Sequence, residues 1–283
     1  MSRQEIIESL RTRAGITVKQ LYTKDELRDI VRAICSLGWI PNLRPGNVGG
    51  VGNTVEDLLG IRENNLPVPN SGEWELKCQR INVGKSSLTT LLHQEPSPQA
   101  LFFVTRVFLP FYSWLHRNAG IDGRALDEIS FRQTISAKRR SSRGFMVQVD
   151  REQKMIKVSF DPDSVSPKLQ GWKESVALRV GTLGELDPQP YWGFKDLESL
   201  LRAKLTNCVY MKAKSRVTSE GEELFYFEAH MLRDFSFDRF LESLEAGIAY
   251  VDFDASGTHN HGTKIRLKRG MLNSLYDYDE KIV

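Results

Sequence analysis

The stretch Glu73-Trp-Glu-Leu-Lys-Cys-Gln-Arg80 sets a carboxylate and an ammonium two positions apart, at Glu75 and Lys77. Its apolar residues, Trp74, Leu76 and Cys78, alternate with Glu73, Glu75, Lys77 and Gln79. Successive side chains of a strand point to opposite faces, so a strand buried on its apolar face displays Glu75 and Lys77 side by side. A carboxylate can ligate a hard divalent cation and an ammonium can polarise a water or phosphate oxygen, and phosphodiester hydrolysis needs both. An ordinary exposed Glu/Lys pair on a half-buried strand has the same spacing, so alternation alone does not decide between them.

Such a strand needs a frame. Thr23-Lys-Asp-Glu26 has the form of a capping box, and Leu27, Ile30, Val31, Ile34 and Leu37 follow at helical spacing up to Gly38, which predicts an amphipathic helix. A shorter helix is expected from Thr54, capping the amides of Glu56 and Asp57, to Gly60, with residues 44–53 as a glycine-rich loop. Strands are predicted at Glu73–Arg80, Leu101–Leu109, Gly144–Val149, Met155–Phe160, Val176–Val180, Cys208–Ala213, Leu224–Met231, Ile248–Phe253 and Lys264–Lys268. Helices are predicted at Ser86–His93, Phe194–Leu205, Phe237–Ala246 and Met271–Tyr276. This order favours a mixed-sheet α/β or α+β architecture.

A chain of 283 residues can bury one core divided into two lobes, here drawn at roughly 1–130 and 131–283. Hydrophobic content of 40% and charged content of 27% describe a folded protein, and a net charge of +3 permits an anionic partner without demanding one. Cys35, Cys78 and Cys208 lack metal-ligand spacing, and no long apolar run or signal-like segment is seen, so a cytoplasmic location away from membranes is expected.

Longer segments carry a resemblance. Residues 46–61 (Gly-Asn-Val-Gly-Gly-Val-Gly-Asn-Thr-Val-Glu-Asp-Leu-Leu-Gly-Ile), then Glu63-Asn-Asn-Leu66, then Gly72-Glu-Trp-Glu-Leu-Lys77 resemble, in order and spacing, the catalytic stretch of the MvaI/BcnI family of Type II restriction endonucleases and their mismatch-repair relative MutH. The likeness continues through residues 85–93 with Pro96, and returns at residues 257–266 (Gly-Thr-His-Asn-His-Gly-Thr-Lys-Ile-Arg).

The resemblance implies a PD-(D/E)XK restriction-endonuclease-like mixed β-sheet flanked by helices, with two lobes around a DNA-binding cleft. It implies a monomeric, Mg²⁺-dependent endonuclease that cuts double-stranded DNA at a short G·C-rich site of the CC-N-GG type, with a cognate DNA methyltransferase as functional partner. Glu75 and Lys77 match the second acid and the lysine of the family site, Glu56 a helix-borne acid near it, and His93 a histidine near the active centre. Asn70 stands where the family has the other metal-ligating aspartate. An amide is a neutral and weaker ligand than a carboxylate, so strongly reduced cleavage is expected. Either a natural sequence has lost catalysis, or an Asp→Asn exchange lets intact DNA be held; retention of every other matching position favours the exchange.

For DNA contact, Lys138, Arg139, Arg140 and Arg143 join two strand-like runs and form an expected basic loop able to touch phosphates, though a solvated hairpin tip reads the same. Lys264, Arg266 and Lys268 alternate with Ile265 and Leu267, directly after His259-Asn260-His261. Arg266 can offer paired donors to guanine, and the His-Asn-His turn can reach neighbouring base edges. Asp252 and Asp254 could accept from cytosine, but pairing with nearby cations is the stronger reading. Gly84-Lys-Ser86 lacks the first glycine of a P-loop, since position 79 is Gln, and His259 with His261 lacks a third ligand for zinc. The alternatives to a restriction endonuclease are a catalytically silent sequence-specific DNA-binding protein of the same fold and a MutH-like repair nickase.

Overall fold

The computed structural model describes residues 1–47, 49–61, 73–81, 88–121 and 123–283. In chain order its elements begin with helices α1 (Arg3–Ala14) and α2 (Lys24–Ser36), strand β1 (Trp39–Pro41), helix α3 (Gly50–Leu59) and strands β2 (Glu75–Arg80) and β3 (Thr89–His93). A π-helical stretch (Phe103–Phe108) runs into α4 (Leu109–Tyr112), followed by β4 (Trp114–Leu115), β5 (Ile129–Ile135), β6 (Arg143–Asp150), β7 (Met155–Val165), α5 (Gln170–Val180) and β8 (Tyr191–Gly193). The remainder is α6 (Phe194–Leu205), β9 (Asn207–Thr218), β10 (Gly221–Phe235), α7 (Phe237–Glu245), β11 (Ala249–Ser256), β12 (Asn260–Leu267) and β13 (Tyr276–Lys281). The mixed α+β architecture expected from the sequence is therefore present.

The chain divides into two compact units, each assembled from separate stretches of sequence. The first comprises Met1–Thr89, Leu200–Phe237 and Arg269–Val283, and the second Thr90–Ser199 and Asp238–Lys268. A single boundary near residue 130 coincides with neither.

In the first unit the sheet runs β1-β10-β9-β2, with β13 also on β10. The β2–β9 pair is parallel and the others antiparallel. One face packs on α2 and α3 through Val31, Ile34, Val55, Leu58, Leu76, Val209, Met211 and Tyr226. The capping box at Thr23 and Glu26 forms as expected, and Ser2 with Glu5 makes a second one that starts α1, a helix the sequence reading missed.

Helix α3 starts at Gly50 rather than at Thr54, so the last part of the expected glycine loop, residues 50–53, is helical. Thr54 is buried inside the helix, where its hydroxyl accepts from the Leu43 amide at 3.1 Å and donates to Asn42 at 3.3 Å. Gly50 permits this close approach: a Cβ there would stand 2.9 Å from the Arg44 carbonyl oxygen.

The second unit holds a sheet ordered β3-β12-β11-β5-β4 and a three-stranded β6-β7-β8 sheet. Its core is aromatic, with Phe108 stacked on Phe131 at 4.6 Å and Phe145, Phe160, Phe253 and Tyr112 packed around them. Three expectations fail in this region. The apolar run 101–109 is mostly π- and α-helical, because Phe103, Val104 and Phe108 all bury against the aromatic core. Residues 176–180 end helix α5, which is held by Trp172 and Arg179 donating to the Ser113 carbonyl. The described part of 86–93 is a strand, since Leu91 and Leu92 are both buried, a helix-like doublet that a strand covered on both faces also accepts. At 271–276 only a short 3₁₀ turn forms, over Leu272–Leu275.

Candidate active site and DNA-reading face

Strand β2 carries the expected pair, but it is covered on both faces. Leu76 enters the hydrophobic core, while Glu75 and Gln79 are also buried, at 3% and 4% exposure. Glu75 Oε1 lies 2.6 Å from Lys77 Nζ. In register, Glu75 faces Cys208, Lys77 faces Tyr210 and Gln79 faces Lys212 on β9, and paired residues of parallel strands share a face. Gln79 fastens that face: its Oε1 accepts from Tyr210 and from the Gly270 amide at 2.9 Å, while its Nε2 donates to Thr89 at 3.0 Å.

A carboxylate this deeply buried needs cationic partners, and Lys77 is not alone. Lys204, in the last turn of α6, places its ammonium 3.6 Å from the same Glu75 oxygen. Burial lowers the Lys204 pKa and the Lys77 charge pushes the same way, while Glu75 and Glu56 pull against both. Sequence reasoning missed Lys204, because its neighbourhood with Glu75 arises only when β9, which follows α6, pairs in parallel with β2.

Glu56 rides on α3 and accepts from the Asn53 side chain at 3.2 Å. Burial pushes the Cys78 thiol well above its ordinary value, with the Glu56 charge adding to the effect, so Glu56 acts electrostatically on both β2 and Lys204. The structure thus brings Lys77 and Lys204 together on Glu75, with Glu56 near enough for its charge to act on Cys78 and Lys204. Asn70 lies outside the described residues, as do Gly84, Lys85 and Ser86.

Among the described residues no group of three or more His, Cys, Asp or Glu side chains is placed to hold a metal ion; Glu75 and Glu56 contribute carboxylate oxygens, the donor type that a hard cation such as Mg²⁺ takes.

His93 is exposed at the end of β3, in the second unit beside Gly262; a Cβ on that glycine would lie 3.8 Å from His93 Nδ1. It belongs with the turn that carries exposed His259, Asn260 and His261, whose two imidazoles sit edge to face at 4.1 Å. On the adjoining strands the aspartates pair with cations. Asp252 accepts from Arg266 at 2.7 Å and from Thr134 at 2.7 Å, and Asp254 accepts from Lys264 at 2.9 Å and from Arg132. Burial works to raise the Asp254 pKa, but the hydrogen bonds from Lys264 and Arg132 prevail and hold it below the ordinary value. Arg132, on β5, is a member of this face that the sequence did not single out.

The basic loop separates into two kinds of residue. Arg140 donates to the Gly144 carbonyl at 2.8 Å and to Ser159 at 3.1 Å, and Arg143 lies over the Trp114 ring at 3.7 Å and the Trp172 ring at 5.3 Å. Lys138 and Arg139 are exposed.

Comparison with solved structures shows the fold. The chain is similar to the restriction endonuclease MvaI in a structure described as its complex with cognate DNA substrate, at a TM-score of 0.70 and 22% identity, covering 93% of this chain and 100% of that one. MvaI in the absence of DNA matches with a TM-score of 0.48 and 20% identity over 91% of this chain and 98% of that one. No curated protein matches the sequence significantly. The model of the MvaI/BcnI restriction endonuclease family matches residues 29–276, a span that contains both the Glu75 cluster and the Arg266 face, and the chain belongs to that family.

Proposed function

We propose that this member of the restriction endonuclease family is a Type II enzyme that hydrolyses phosphodiester bonds in double-stranded DNA at a short G·C-rich site of the CC-N-GG type. The observation that carries the reading is the contact between buried Glu75 and half-buried Lys77, joined by Lys204 and influenced by Glu56. An ordinary surface pair has no reason to be buried and doubly compensated.

Glu75 and the residue at position 70 would hold Mg²⁺, which when bound supplies Lewis-acid stabilisation of phosphate charge. Lys77 would polarise the attacking water or the scissile phosphate. Lys204 offsets the negative charge gathered at the site, and Glu56 completes the cluster. His93 would orient a water or touch a phosphate from its position beside Gly262. Arg266, oriented by Asp252, suits a guanine edge, with His259, Asn260, His261 and Lys264 contacting neighbouring groups. The enzyme would act as a cytoplasmic monomer alongside a methyltransferase that protects the same site.

Asn70 tempers this activity and favours, as second reading, a silent DNA-binding protein of the same family. The two separate in a supercoiled-plasmid assay with Mg²⁺: Asn70→Asp should cleave, and adding Glu75→Ala should abolish that cleavage. Cleavage that survives Glu75→Ala would place the chemistry elsewhere.

A further inference from the structure

The second unit contains a concavity of ≈ 580 Å³ lined by Thr134, Ser136, Lys138, Arg139, Ser141 and Tyr250, among others. No carboxylate lines it. Among the described residues none pairs ionically with Lys138 or Arg139, in contrast to Arg140, which is tied to Gly144, Ser159 and, at 3.6 Å, to Asp161. Two unpaired cations around an acid-free hollow, with the Ser136 and Tyr250 hydroxyls beside them, are the complement of an oxyanion.

The hollow is built rather than a mobile hairpin tip. The Ser141 amide donates to the Phe145 carbonyl at 2.7 Å, the Val147 amide to the Ser136 carbonyl at 3.0 Å, and the Lys138 amide to Ser136 Oγ at 3.1 Å. The Lys138 stem lies on Gly247, where a Cβ would approach Lys138 Cβ to 2.9 Å. Gly247, at φ +67°, thus gives both the turn and the room for the lysine.

Its position gives the anion an identity. Thr134, in the lining, donates to the Asp252 carboxylate that holds Arg266, and Tyr250, also in the lining, is the register partner of Arg266 on β12. The hollow therefore adjoins the residue best suited to a guanine edge.

We propose that Lys138 and Arg139, with the Ser136 and Tyr250 hydroxyls, form a subsite for one backbone phosphate of duplex DNA, next to the base that Arg266 reads. This rests on the DNA-binding part of the function proposed above. Phosphate contacts carry no sequence information of their own but fix register on the duplex, so the subsite would set which base Arg266 meets.

The test is duplex binding by fluorescence anisotropy over a KCl series, using duplexes selected from a random pool by the unaltered chain. K138Q/R139Q should bind more weakly, lower the slope of log K against log salt by about 1, and select the same base preference. R151Q, at an arginine tied to Glu245 and outside the hollow, should leave the slope unchanged. Circular dichroism and melting check the fold, and the single variants K138Q and R139Q serve if the double variant is unfolded. An unchanged affinity and slope in a folded variant overturns the subsite while leaving DNA binding intact. Failure of the unaltered chain to bind any duplex removes both this subsite and the function on which it rests. Inorganic phosphate, compared with chloride at equal ionic strength, should compete with DNA in the unaltered chain and not in K138Q/R139Q. Phosphate binding without any effect of the variants on DNA would assign the hollow to a free anion and overturn the proposal.

Discussion

Lys77 Nζ lies 2.6 Å from Glu75 Oε1 on a strand whose two faces are both covered, and Lys204 approaches the same oxygen at 3.6 Å. The carboxylate keeps two half-buried ammonium groups compatible, so its removal has consequences for stability as well as chemistry. Glu75→Ala should lower the unfolding free energy by on the order of 3 kcal/mol, because it leaves uncompensated buried charge. Urea unfolding measures this, and an unchanged midpoint and slope would contradict the packing described.

Arg143 should behave as a structural residue. Its guanidinium is half-buried between Trp114 and Trp172, and burial holds its pKa below the usual value. Arg143→Ala is expected to cost roughly 1–2 kcal/mol of stability through lost cation–π and stem packing. The salt slope of DNA binding should stay where it is, and a slope reduced by about 1 would instead make Arg143 a phosphate contact.

The strand that carries Glu75 and Lys77 was legible because strict alternation survives in sequence, and so was α2, because its capping box and apolar spacing agree. What alternation concealed was that the polar face is also covered, by residues from α6 and β9 far along the chain. Lys204 and Arg132 were invisible for the same reason: each meets its carboxylate only through strand pairing, parallel in one case and antiparallel in the other. The failures at 101–109, 176–180 and 86–93 are places where short apolar or β-branched runs are assigned their conformation by tertiary contacts rather than by propensity. The pairing of Asp252 and Asp254 with cations was anticipated, since Lys264 and Arg266 follow them in sequence at the same two-residue spacing.

At Arg266 the structure adds a tether, as Asp252 Oδ2 accepts from Nη1 at 2.7 Å. Arg266→Ala should weaken binding to the selected duplex by about 1–3 kcal/mol and relax preference at one base pair. Binding to each single-base variant of that duplex distinguishes this from uniform weakening, which would demote Arg266 to a phosphate contact.

His116 supplies a pH dependence. Burial, together with the positive charges of Arg124 and Arg132, lowers its pKa below 6.5. The geometry agrees, since Nδ1 accepts from the Asn118 amide at 3.0 Å and the Arg132 guanidinium lies 3.2 Å from Nε2. Around pH 6.5 the unfolded chain therefore binds more protons at this residue than the folded one, so its contribution to stability is present above that pH and is lost as pH falls through it. An NMR titration of the imidazole should give a midpoint below 6.5, and a midpoint at or above 6.5 would contradict this environment.

The nuclease site proposed for the segment from Asn70 to Lys77 lacks one carboxylate, and Asn70→Asp restores it. Unaltered and Asn70→Asp proteins are incubated with a supercoiled plasmid in Mg²⁺ and in EDTA, and the rates of nicking and linearisation are compared. Asn70→Asp should show Mg²⁺-dependent cleavage at a rate roughly 100-fold or more above the unaltered chain, the scale of losing one transition-state-stabilising group. No cleavage by either protein would contradict it.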